Sequence, residues 1–88
     1  MPIEFDPAKA ADNVRKHGVS FADAEVVLSD PMALTVEDAG AVGERRHVTI
    51  GLGGAGEVLV VVWTGRGDAY RLISVRRATR KERKAYED

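Results

Sequence analysis

VLVVVWTGRGDAYRLISVRRATRKERKAYE, residues 58–87, sets the architecture of the chain. Val58 to Trp63 is apolar on both faces, the pattern of a central strand covered on each side. Gly65-Arg66-Gly67-Asp68 supplies turn residues, so Tyr70 to Ala78 is expected to return beside it as an antiparallel strand. Thr79 and Glu82 stand at capping-box spacing, in which the hydroxyl takes a backbone amide and the carboxylate reaches back to the cap. A closing helix, Arg80 to Glu87, follows.

Upstream of this block, His47 to Leu52 alternates around Val48 and Ile50, and Gly53 to Gly56 forms the turn into the central strand. Ala33 to Val36 is a short strand, joined to the next by an acidic, glycine-containing loop over Glu37 to Gly43. The first third reads differently. Ile3 to Phe5 is a short opening strand, and Asp6-Pro7 starts a helix, the carboxylate capping free amides and the proline taking the first helical position. Gly18 ends it after His17 by supplying a positive φ. Ser20 and Asp23 predict a second capping box. Phe21, Ala24, Val27 and Leu28 then fall at helical spacing until Asp30-Pro31 stops the helix. The expected fold is α+β: a four-stranded antiparallel meander plus a short N-terminal strand, with two N-terminal helices and one C-terminal helix covering one face. One domain over 1–88 is expected, because 88 residues support a single modest core.

The formal net charge of −1 hides a segregation. Residues 1–64 carry five Lys/Arg against ten Asp/Glu, and residues 65–88 carry eight against four. A local positive field can exist on a nearly neutral protein when charge is divided this way. The chain has no cysteine, which removes disulfides, thiolate nucleophiles and cysteine-based zinc sites. No signal-peptide pattern precedes Glu4 and Asp6, and the apolar run at Val58 to Trp63 is too short to cross a bilayer. A cytoplasmic protein without a membrane role is expected.

FDPAKAADNVRKHGVSFADA (5–24), ERRHVTIG (44–51), VVVWTGRGD (60–68) and RLISVRRATRKERKAYE (71–87) occur together in this order. In that combination the chain resembles the BrnT family of type II toxins over nearly its whole length. The resemblance implies a ribonuclease toxin of RelE-like fold. It also implies neutralisation by a BrnA-type ribbon-helix-helix antitoxin in a hetero-oligomer, whose operator DNA is contacted through the antitoxin. Composition and periodicity do not supply these points.

Cleavage of RNA without a metal needs activation of the ribose 2′-hydroxyl, stabilisation of a charged transition state and protonation of the departing 5′-oxygen. His17 and His47 are the only histidines, and no His/Cys/Asp cluster has metal-ligand spacing, so no metal or other cofactor is expected. Arginine must then do much of the electrostatic work. Arg76 and Arg77 are adjacent on a strand and point to opposite faces. Ile73, Val75 and Arg77 read as the core face and Leu72, Ser74 and Arg76 as the open one. That favours Arg76 as phosphate ligand, with Arg77 either a second ligand or an anchor between sheet and final helix. On the preceding strand, Val48 and Ile50 read as core-facing with Arg46. Arg45 and His47 are therefore the open-face candidates, His47 being either an acid-base group or an ordinary half-buried residue. Lys16 and His17 either satisfy the carbonyls at a helix end or form a corner of the cutting surface; Glu4 and Lys9 are weaker candidates. Arg80, Lys81, Arg83 and Lys84 form either a solvated helix face or a track for RNA phosphates. Tyr70 is the candidate for stacking on a base, Trp63 being read as core.

The function expected is thus a metal-independent endoribonuclease toxin. The alternative is a non-catalytic module that binds RNA or a DNA-binding partner and acts as co-repressor. A direct DNA-binding repressor is disfavoured, because the second helix carries no basic residues.

Overall fold

A computed structural model describes residues 2–38, 40, 43 and 45–88; part of the acidic loop expected over Glu37 to Gly43 lies outside these residues. The elements follow as β1 (Ile3–Glu4), α1 (Pro7–His17), α2 (Ala22–Leu28), β2 (Leu34–Glu37), β3 (His47–Leu52), β4 (Val58–Arg66), β5 (Ala69–Arg77) and α3 (Arg80–Glu87). The five strands form one sheet in the order β1-β5-β4-β3-β2. β2 to β5 make the expected antiparallel meander. β1 lies parallel to β5, pairing Ile3 with Tyr70 and Glu4 with Arg71, so the sheet is mixed.

Local chemistry explains most element ends. Asp6 accepts a hydrogen bond from the Ala8 amide at 2.9 Å, Pro7 opens α1, and Gly18 closes it at φ 67° with its amide on the Val14 carbonyl. The capping box of α3 forms as expected: Glu82 N donates to Thr79 Oγ1 and Thr79 N donates to Glu82 Oε1. The box expected at α2 does not form. Ser20 Oγ instead accepts from Ala22 N, and Phe21 occupies the cap position without a side-chain bond. Ser20 is therefore spent on a turn, an alternative that serine offers as readily as a cap.

The main core joins Val19, Phe21, Ala24 and Val27 to Leu59, Val61, Leu72 and Val75, each fully buried Val or Leu contributing about 1.5–3 kcal/mol. Leu72 and Val75 are three apart yet face the same side. The pairing of β4 with β5 steps from Val62–Ser74 to Trp63–Leu72, leaving Ile73 as an extra, bulged residue. A bulge of this kind reverses the side on which every preceding side chain emerges. Simple alternation, with Leu72 on the face of Ser74 and Arg76, thus fails above Ser74 and holds below it. On β3 the buried residue is Thr49 rather than Val48 or Ile50, which are half-buried. Gly51 lies in the same row, and a Cβ there would sit 3.1 Å from Val27 Cγ1 and the Val27 carbonyl. That glycine lets α2 lie directly against the sheet.

Asn13 on α1 closes the edge of β5 that β1 is too short to cover. Its side chain accepts from Val75 N at 3.0 Å and donates to the carbonyls of Val75 at 2.7 Å and Val19 at 2.9 Å. It thereby satisfies the backbone as a neighbouring strand would.

The helices do not all cover one face. Arg76 alternates with Val75, so it leaves the sheet on the side away from α1 and α2, and there it holds Glu82 of α3. Val60, the register partner of Arg76, is fully buried yet outside the main core. The helix ends against the rim of the sheet, where Tyr86 donates to Asp30 at 2.5 Å.

Candidate functional site

On the face of β3 and β4 turned away from α2, the sheet presents a row of cations. Arg46 precedes β3 on the parity of Val48, and Thr64 pairs with Arg71 across the β4–β5 hairpin. Together with Lys9 of α1, Arg66, Leu72 and Ile73 they line a cavity of about 450 Å³. Arg71 is steadied by Glu4 of β1 at 3.3 Å; Thr64 is buried. Four cationic side chains therefore converge from three elements and a loop, with Arg71 held by Glu4. Such a concave arrangement attracts polyanions.

A second cavity, about 280 Å³, continues from the first, sharing Lys9 and Ile73 and adding Asp12, Asn13, Lys16, His17 and Ser74. Lys9, Asp12, Asn13 and Lys16 recur at helical spacing, so α1 presents them along one stripe. The bulge at Ile73 makes the opposite wall. The two cavities adjoin at Lys9 and Ile73, and together they mark a groove along α1 and β5 with Arg66 and Arg71 lining one part and Lys16 and His17 the other.

The candidates read from the sequence fall into four places. Lys16 and His17 lie in the groove, both exposed. Arg76 is on the expected face but engaged: its Nη1 and Nη2 hold the two carboxylate oxygens of Glu82 at 2.8 and 2.9 Å. This pair raises the Arg76 pKa further and lowers that of Glu82 to about 2, mainly through the hydrogen bonds between them. Arg77 anchors the sheet to α1 rather than to α3, donating from Nη1 to the His17 carbonyl at 2.9 Å and from Nε to Glu57 at 2.8 Å.

Third come Arg45 and His47, whose face is the reverse of that expected. His47 shares the side of buried Thr49 and stacks on Trp63 at 4.4 Å between ring centroids, 25° from parallel. Trp63 donates to Thr49 Oγ1 and meets Tyr70 edge-on at 4.6 Å. The physical reason is that Thr49, not Val48 or Ile50, points into the helix-covered core, bringing Arg46 to the groove and taking His47 away. Arg45 is exposed, 3.7 Å from Glu37. Finally, Arg80, Lys81, Arg83 and Lys84 are exposed on α3, away from the groove.

From the sequence, Arg46 is expected on the core face as a structural residue, whereas it lines the cavity; Thr64, Arg66, Arg71 and Asn13 are not singled out there as site residues. The charge count contained the arginines, but the hairpin register that gathers them passes through the bulge. Among the described residues no three of His, Cys, Asp and Glu are grouped to hold a metal ion, and no helix is long and apolar enough to cross a membrane.

The sheet, the helices and the groove define a small α+β protein with a cationic cleft. The family model described as "Ribonuclease toxin, BrnT, of type II toxin-antitoxin system" matches residues 5–82. The crystal structure of the Brucella abortus ribonuclease toxin BrnT superposes with a TM-score of 0.72 at 30% identity, covering 91% of this chain and 99% of that one. Among curated protein sequences none matches. The chain belongs to the BrnT family, the ribonuclease toxins of type II toxin-antitoxin systems.

Proposed function

We propose that this chain is an endoribonuclease whose RNA backbone lies along the groove between α1 and β5. The observation that carries the reading is the convergence of Lys9, Arg46, Arg66 and Arg71 on one cavity, continuous through Lys9 with Lys16 and His17. The scissile phosphate sits against the cations, which stabilise the extra charge of the pentacoordinate transition state. The 2′-oxygen loses its proton and bonds to phosphorus while the 5′-oxygen departs and takes up a proton. His17 exchanges these protons, with Lys16 beside it. The products are a 2′,3′-cyclic phosphate and a 5′-hydroxyl, and no metal is required.

Arg76 and Arg77 act by holding α3 and α1 in place, and the exposed cations of α3 attract RNA diffusely. A BrnA-type ribbon-helix-helix antitoxin neutralises the chain in the cytoplasm and makes the operator DNA contacts of the complex. Incubation of the purified chain with RNA in EDTA tests the reading. Cleavage is expected to persist, and to fall roughly 10²-fold in Arg46→Ala or Arg71→Ala while Arg45→Ala retains it. Loss of cleavage with chelator contradicts the metal-free route; full activity of the Arg46 and Arg71 variants removes the groove.

A further inference from the structure

Among the described residues, no strand pairs with the outer edge of β2. β2 is the terminal strand, all four of its residues are exposed, and two are large and apolar, Leu34 at 43% and Val36 at 62%. Met32, 71% exposed, and Leu52, 42% exposed, extend the apolar patch. Edges are blunted by charge, proline, bulges or short length; LTVE is short and ends in Glu37 but has no lysine, proline or bulge, and its Leu34 and Val36 stay open. Such an edge offers a row of backbone donors and acceptors beside apolar side chains, the two components of recognition by strand addition.

What this edge faces is decided by register. Val36 pairs with Val48, Val48 with Val62, and Val62 with Ser74. One lateral row therefore runs from the exposed edge to the wall of the groove, on the face turned away from α1 and α2. Three inter-strand spacings make it about 14 Å long. Val48 and Val62 are half-buried within it, so the row is an apolar path from edge to cleft.

We infer that the protein antitoxin of this type II toxin docks by adding an extended segment to β2, its apolar residues seated on Leu34 and Val36, and crosses the Val48–Val62 row to cover the groove at Ser74. The occupant is a polypeptide with alternating apolar residues followed by acidic ones, the first matching the edge and the second the cations of the cleft. Family membership supplies the existence of a protein partner. The row explains how a partner gripping one sheet edge blocks chemistry at the other. The blocking half of the inference rests on the proposed position of the RNA groove; the docking half does not.

The test uses the full chain and its cognate antitoxin. Hydrogen exchange of the chain with and without antitoxin is expected to show new protection at residues 34–37. Val36→Lys, an exposed position, is expected to weaken antitoxin binding at least about tenfold, with RNA cleavage by the free toxin unchanged. Val14→Lys, at an exposed apolar site on α1, serves as the control that keeps wild-type affinity. Unchanged β2 exchange together with unchanged affinity of Val36→Lys overturns the docking. Protection of β2 in the toxin alone, rising with its own concentration, overturns it in favour of pairing between two copies. Docking at β2 that leaves cleavage uninhibited refutes the blocking alone and points away from the proposed groove.

Discussion

Arg76 on β5 and Glu82 on α3 meet through two parallel hydrogen bonds of 2.8 and 2.9 Å, and Glu82 closes the cap of its own helix at the same time. One carboxylate thus fixes both the start of α3 and its seat on the sheet. The Arg76 guanidinium lowers the Glu82 carboxyl from an ordinary 4.5 to about 2.

Because the folded-state pKa is depressed, the unfolded chain binds more protons across that interval, and stability rises with pH there. The contribution is complete above pH 4.5 and is lost as pH falls from there to about 2. Allowing for solvent screening it is about 1–2 kcal/mol. Glu82→Gln should lower the melting temperature at pH 7 and flatten the acid limb of the stability profile between those two pH values. Thermal unfolding monitored by circular dichroism from pH 2 to 7 measures both; an unchanged acid limb contradicts the pairing.

Asn13 replaces a missing strand, and three hydrogen bonds depend on it. Asn13→Leu keeps the volume while leaving the Val75 amide and carbonyl without partners in a buried place. Each orphaned group costs about 1–3 kcal/mol, so a loss of about 3 kcal/mol or more is expected in urea denaturation. That is a large fraction of the stability of a domain this small. A loss below about 1 kcal/mol would mean that water reaches this edge.

Gly51 is required by contact rather than by backbone conformation. Its Cβ position lies 3.1 Å from both a Val27 methyl and the Val27 carbonyl, and 3.2 Å from Ala33 Cβ. Gly51→Ala should therefore destabilise by about 1–3 kcal/mol, since α2 must move off the sheet to admit the methyl group. Gly56→Ala is limited instead by its φ of 81°, with no atom within 4 Å, and should cost about 1–2 kcal/mol. Equilibrium unfolding of the two variants separates the causes. Only the first should change hydrogen exchange in α2.

The meander and the caps of α1 and α3 were legible because they depend on neighbours in sequence: Asp6-Pro7, Gly18 and the Thr79–Glu82 box each act within four residues. The site was less legible because it depends on which face of the sheet each strand residue takes. Two long-range facts set those faces: the bulge at Ile73, and the burial of Thr49, whose hydroxyl contacts Thr35 at 2.8 Å and accepts from Trp63. A threonine between Val48 and Ile50 reads as the polar side of an amphipathic strand, yet here it is the residue 2% exposed. Once that face is reversed, Arg46 moves to the groove and His47 to the aromatic stack. The parallel placement of β1 was equally hidden, because a two-residue strand carries no pattern.

The proposed RNA groove and the basic face of α3 differ in shape, and salt dependence of RNA binding distinguishes them. Each phosphate neutralised by a bound cation releases counterions, giving a slope of about −0.7 in log affinity against log salt for a single strand. Arg46 shares a concave site with Lys9, Arg66 and Arg71, where a backbone phosphate can be held by several groups. Lys84 stands exposed on α3, where contact is diffuse. Arg46→Gln should therefore weaken binding of a 2′-O-methyl RNA, which cannot be cut, about tenfold at low salt and reduce the slope by roughly 0.7. Lys84→Gln should change the affinity less than about threefold, with little change in slope. Fluorescence anisotropy between low and moderate salt reads both quantities. Equal effects of the two substitutions would place the RNA along α3 instead, and the cations around Thr64 would then need another occupant.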